Sequence, residues 1–225
     1  MLWALGQPAA AVGLAVAFLL GLVVRALGRR ACARALGVAA PIPAAVGLRV
    51  RDEVDPVGAV AVVLGGTGWG RRAAVPTAEP RRAGAVLLAG PLAVLLGAQV
   101  WLAVFRLAYP ADRAALALNR PSDVLRGVVA PSMLEQVVLS VAVGLLCFGL
   151  VALVPVPPMD GFRLARLAWT SWGTTAPARD REVPLVAERL GVLALLLLLV
   201  VPVGGEPPLL TALDVVGAPL LALWT

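Results

Sequence analysis

Apolar runs of bilayer-spanning length, separated by short arginine-rich stretches, leave this chain few ways to fold. Residues 8–27, 83–107, 134–153 and 185–203 each read as a run near the length of about 20 residues that a helix needs to cross a hydrocarbon core. The rest of the composition agrees. Hydrophobic residues make up 60% of the chain, charged residues 14%, and the mean hydropathy is +0.93. A soluble domain sits nearer half apolar and a quarter charged. The expectation is an all-α, polytopic membrane helix bundle: one membrane domain over 1–225, multi-pass in the cell membrane, with the lipid bilayer as first partner. The tail 208–225 is apolar enough to cross or to lie along the bilayer, with Asp214 weighing against a full crossing.

Charge placement sets an expected topology. The net charge is +6 and every basic residue is arginine. These arginines lie between apolar runs rather than on one basic face, so the bias reads as topology and not as nucleic-acid binding. No arginine precedes the first run, whereas Arg25, Arg29, Arg30 and Arg34 close it. A secretory signal has the reverse order, so the first helix is expected to remain in the membrane with its amino end outside. Residues 58–70, GAVAVVLGGTGWG, are too short to cross as a helix and rich in glycine and valine. They read as a re-entrant extended segment over about 56–70, a short crossing helix being the alternative. Re-entrance puts the arginine-rich stretches 29–55, 71–82 and 161–184 on one face. A crossing would move Arg71, Arg72, Arg81 and Arg82 to the face of Arg113, Arg120 and Arg126, where Asp112 and Asp123 offset the charge, and so weaken the positive-inside bias. Trp69, Trp101, Trp169, Trp172 and Trp224 read as interface anchors. Cys32 and Cys147 read as buried free thiols.

Several short motifs stand in a telling order. Residues 25–38 read RALGRRACARALGV. Asp55-Pro56-Val57-Gly58, Gly68-Trp69-Gly70 and Ala89-Gly90-Pro91-Leu92 follow, then Pro155-Val156-Pro157-Pro158-Met159-Asp160-Gly161 and ERLGVLALLLLL at 188–199. Together these resemble the compact bacterial type of the site-2 proteases, intramembrane zinc metalloproteases, over about residues 10–205. The family's first-helix motif is H-E-L-G-H-A-L-V-A-R-R-L-G-V; here Leu27, Gly28, Ala33, Arg34, Leu36, Gly37 and Val38 match it. The later stretches resemble D-P-I-G, G-W-A-K-P-V-P, A-G-P-L-S-N and P-I-P-P-L-D-G. The resemblance implies a site-2-protease-like core.

It also implies where chemistry would sit, and there the chain departs. In the family, two histidines one helical turn apart and the aspartate of the last motif bind zinc, and the glutamate is the general base. Residues i and i+4 share a helix face, and catalytic zinc takes three protein ligands with a fourth position open for water. The chain has no histidine; the ligand positions are Arg25 and Arg29, the base position is Ala26, and Asp160 is the residual ligand position. A guanidinium has no lone pair to offer a metal. The family's asparagines are replaced by Val94 and Ala152. Cys32 adds one thiol, too few ligands for a rebuilt site. Without histidine or lysine no base stands ready for serine chemistry, and no phosphate loop is present.

No catalytic residue, no metal and no zinc cofactor are therefore expected. Two readings of Arg25 and Arg29 stand side by side: anchors snorkelling to headgroups, or a structural pair with Asp160 in place of the metal. Asp160 has a third role open to it, capping the helix that starts near Gly161. The expected function is that of a pseudoprotease that binds or regulates a transmembrane partner, either a helix of another protein or an active protease. The alternatives are an active intramembrane zinc metalloprotease and a purely structural membrane subunit.

Overall fold

A computed structural model describes residues 6–38, 50–71, 79–110, 116, 119–127, 132–171 and 185–224. Among them Arg72, Asp112, Arg113 and Trp172 do not appear, and the expectations placed on them lie outside the described residues. The described residues are all-helical, with two isolated bridges in place of a sheet. The elements are α1 (Pro8–Ala35), α2 (Val50–Glu53), α3 (Pro56–Gly65), α4 (Pro80–Ala108), α5 (Pro121–Leu125), α6 (Met133–Ala152), α7 (Asp160–Ser171), α8 (Leu185–Val200) and α9 (Pro208–Ala222).

Three of these, α1, α4 and α6, are long and apolar enough to cross a membrane. They pack on one another with α6 central and buried along most of its length. Small residues set the crossings. A Cβ on Gly144 of α6 would lie 2.6 Å from Ala17 of α1, and one on Gly28 of α1 would lie 2.5 Å from Ala93 of α4. Such close approach is how helices associate where lipid is as apolar as the side chains. Gly13 meets Val137 and Ser140 while Gly21 meets Phe148, so α1 and α6 run parallel. Gly28 meets Ala89 and Gly97 meets Val24, so α4 runs against them. Phe18 and Phe148 meet edge to face at 6.0 Å in the α1–α6 seam.

The fourth and fifth apolar runs are shorter helices than the sequence promised. The run at 185–203 becomes α8, 16 residues, and the tail becomes α9, 15 residues. At 1.5 Å per residue these reach about 24 and 22 Å, short of a hydrocarbon core of about 30 Å. Pro202 ends the first, because proline cannot continue the ladder. The chain then reverses through Gly204 and Gly205, both at positive φ, with Val203 bridged to Glu206.

The segment 56–70 corrects an expectation. Its first limb is not extended but helical, as α3. Asp55 caps it, its carboxylate accepting from the amides of Val57 and Gly58, and Pro56 takes the first helical position. Gly66 closes it in the left-handed region at φ 79°. The chain then returns through Thr67 to Gly70 and pairs with its own start: Val54 bridges Gly70, and the Arg71 amide donates to the Glu53 carbonyl at 2.7 Å. A ten-residue helix descends about 15 Å and four extended residues climb about 13 Å, so the limbs match. A Cβ on Gly58 would lie 2.0 Å from the Trp69 carbonyl, which makes glycine obligatory where the limbs touch. The segment thus leaves and returns at one level of the bundle.

Two outcomes follow. Gly58→Ala is expected to cost about 1–3 kcal/mol by forcing the limbs apart, read as a lowered unfolding midpoint in detergent. In a background lacking Cys32 and Cys147, cysteines at positions 34, 71 and 81 are expected to label from one side of the membrane and one at position 120 from the other. Labelling of position 71 together with 120 would refute re-entrance.

Candidate functional site: a buried ion pair

Arg25 lies 17 residues into α1, about 26 Å along the helix from Pro8. That distance is close to the thickness of about 30 Å of a hydrocarbon core. The third helix, α6, ends at Ala152 on the same side, and the turn Pro155–Gly161 carries the chain back toward α1 before α7 begins. The Pro157–Pro158 bond in that turn is cis. Asp160, the first residue of α7, meets Arg25 at the end of this turn.

The contact is bidentate. Arg25 Nε donates to Asp160 Oδ2 at 2.8 Å and Arg25 Nη2 donates to Oδ1 at 2.7 Å. Residue exposure is 3% for Arg25 and 0% for Asp160, so both charges are removed from water. The third guanidinium nitrogen, Nη1, donates to the Arg71 carbonyl at 3.2 Å, just after the re-entrant hairpin closes. The fork geometry of arginine fits a carboxylate in this way, and lysine's point charge does not. Asp160 at a helix start also meets the positive end of the α7 dipole.

Arg29, one turn further along α1, does not join Asp160. Its Nη2 donates to Glu53 Oε2 at 2.8 Å, with both side chains largely buried. Glu53 is the residue that sequence reasoning missed. It stands in a run of charges, RVRDEVDP, that reads as a solvated loop, and nothing in its spacing distinguishes it from Asp52. Its burial follows from the hairpin, whose closing bridge draws α2 against α1. Gly90 of α4 supplies the room for both arginines: a Cβ there would lie 3.0 Å from the Cγ atoms of Arg25 and Arg29. That is the physical use of the Ala89-Gly90-Pro91 element.

The surrounding positions are apolar. Ala26, Val94, Ala152 and Met159 are buried. Trp69, expected at an interface, is 2% exposed inside the core, since the return limb of the hairpin folds inward. Its indole nitrogen and the Thr67 hydroxyl are buried without a hydrogen-bond partner. Trp169 is the opposite case at 77% exposed. Trp101 and Trp224 are half-buried; the Trp224 indole donates to Gln99 Oε1 at 2.8 Å. Cys147 is buried and Cys32 half-buried.

The donor set does not fit zinc. Both oxygens of Asp160 are engaged by Arg25, neither arginine offers a lone pair, and among the described residues no three of His, Cys, Asp and Glu gather to hold a metal. The position beside Arg25 is Ala26, which cannot accept a proton. The arrangement can cross-link α1, the hairpin and the start of α7, and it can do so without an ion.

A second polar cluster lies between α5 and α9. Asp214 of α9, whose charge weighed against a crossing, accepts from the Ser122 amide at 2.8 Å and from its hydroxyl at 2.6 Å. Arg126 and Glu206 form an exposed pair beyond it. The hydrogen bond from Arg126 holds the Glu206 carboxyl below its ordinary range. This cluster pins α9 to α5 and brings no reactive group to the first one.

Comparison with protein-family models, with curated proteins and with solved structures finds no match.

Asp160→Asn is expected to destabilise the fold by about 3–5 kcal/mol, because it strands a buried guanidinium. The double variant Arg25→Met with Asp160→Leu is expected to recover most of that loss, since an apolar pair of similar volume removes both charges. Equilibrium unfolding in detergent reads both. A silent Asp160→Asn would mean that the pair carries no stability.

Proposed function

We propose that this chain is a site-2-protease-like protein of the cell membrane that has no peptidase activity and acts by binding or regulating a transmembrane partner. The observation that carries the reading is the buried Arg25–Asp160 fork. It joins two positions to which the motif resemblance assigns metal ligands, and it occupies both carboxylate oxygens. The reading is supported by the order of the motifs along the chain and by their meeting in space. The first-helix motif, the hairpin after Asp55, Gly90 and the Pro155–Gly161 turn all meet at the Arg25 side chain. In an enzyme of this design the cross-link between α1 and the turn is a metal with an open coordination position. Here it is a bidentate ion pair, which supplies no Lewis acid to polarise a carbonyl or activate water. A bundle held this way keeps its shape and its lipid-facing surfaces, which suits it to holding a transmembrane helix of another protein or to restraining an active protease.

Two experiments separate the parts of this reading. Purified protein in liposomes is expected to leave single-span model substrates uncut; turnover abolished by a zinc chelator would overturn the inactive assignment. The family likeness is tested by restoring its ligands. Arg25→His, Ala26→Glu and Arg29→His together are expected to take up about one zinc per chain, and Asp160→Asn in that background to lose it. A folded triple variant that binds no zinc would count against the likeness itself.

A further inference from the structure

Contacts place five exposed arginines at one end of the bundle. Arg34 ends α1, where Ala33 and Val38 pack on Val86 near the start of α4 and so lie beside Arg81 and Arg82. Arg51 and Arg71 flank Glu53, which is bound to Arg29 of α1. Only Asp52 and Glu79 are exposed acids at this end among the described residues, whereas the opposite end exposes Arg120 against Glu206. Arg81 and Arg82 stand in the first turn of α4, where the helix dipole disfavours cations. The stability of α4 does not explain them.

Helix α7 lies at the same end, since Asp160 is bound to Arg25 and Leu164 approaches Gly84. Its two faces differ. Asp160 and Arg163 are buried toward the bundle, with Leu164 and Leu167 half-buried beside them. The outward face carries Phe162, Ala165 and Trp169 at helical spacing, with Trp169 77% exposed. No element among the described residues covers Trp169. An apolar face with tryptophan, laid beside cationic side chains just past the end of a span, is the pattern of a helix lying in the headgroup plane.

We propose that this end of the protein docks on anionic phospholipid headgroups, with α7 lying in the interface, Trp169 at the boundary of headgroup and acyl chain, and the arginine rim holding the phosphates. Charge complementarity selects the anionic class, because zwitterionic headgroups offer the rim no net charge to neutralise. Docking bears on the buried pair, since α7 is tied to α1 through Asp160. The inference rests on the membrane reading and is independent of the likeness to a protease.

The test reconstitutes the full chain in vesicles of phosphatidylcholine mixed with phosphatidylglycerol and counts retained lipids by native mass spectrometry. The wild type is expected to retain phosphatidylglycerol above its bulk share, and Arg81→Gln with Arg82→Gln to cut that excess about five-fold or more. Both substitutions are at exposed sites, and an unchanged unfolding midpoint shows that the fold is intact. Shallow spin-labelled lipids are expected to quench part of the fluorescence that Trp169→Phe removes. Retention in the bulk ratio, or equal enrichment in wild type and variant, overturns the proposal. So does a Trp169 signal quenched by aqueous iodide and not by lipid. Failure of the chain to enter vesicles of either composition overturns the membrane reading and this inference with it, leaving the outcomes distinct.

Discussion

Arg25 and Asp160 are separated by 135 positions in sequence and by one hydrogen bond in space. Moving two charges away from water costs several kcal/mol per ion, and mutual attraction repays that only when geometry is close and remaining donors are satisfied. Both conditions are met here. The carboxylate receives two donors from one fork, and the remaining nitrogen reaches the Arg71 carbonyl. The consequence is mutual dependence. The end of α1, the close of the re-entrant hairpin and the start of α7 must all be in place for any of these charges to be tolerated.

The same geometry narrows the chemistry. A metal ion binds groups with lone pairs and leaves a position open, whereas an arginine fork engages both oxygens of its carboxylate and offers no lone pair of its own. Arg29 extends the principle by pairing with Glu53, so the two inward-facing arginines of α1 are neutralised by two different elements. What results is a rigid junction with a charged interior and an apolar surround.

The hairpin shows how backbone polarity is managed at membrane depth. Irregular backbone is tolerated there only where protein covers it. Helix α3 satisfies its own amides through the Asp55 cap and the Gly66 turn. The return limb lies against α3 so closely that Gly58 and Gly68 admit no side chain. Leu199 of α8, Leu125 of α5 and Leu22 of α1 cover it at Gly65, Gly66 and Gly70. The short helices α5 and α8 thus serve, with α1, as cladding for this segment.

Apolar run length alone determined three spanning-length helices, because in α1, α4 and α6 the pattern is long and the physics local. Arginine placement and the shortness of 56–70 pointed to a segment that turns back. The zero count of histidine and Ala26 are the grounds in the sequence for expecting neither zinc nor a general base. The helical character of α3 was also legible, in an aspartate followed by proline and in a closing glycine, but the valine and glycine content drew attention away from the caps. Tertiary structure decided the rest. Arg25 and Arg29 have the same side chain and lie one turn apart, and no local rule says which meets Asp160 and which meets Glu53. Trp69 and Trp169 are alike in the sequence, yet one is core and the other exposed. Charge pairing and burial depend on which elements fold back on which, and that is set by close helix crossings at Gly28, Gly90 and Gly144 between residues far apart in the chain.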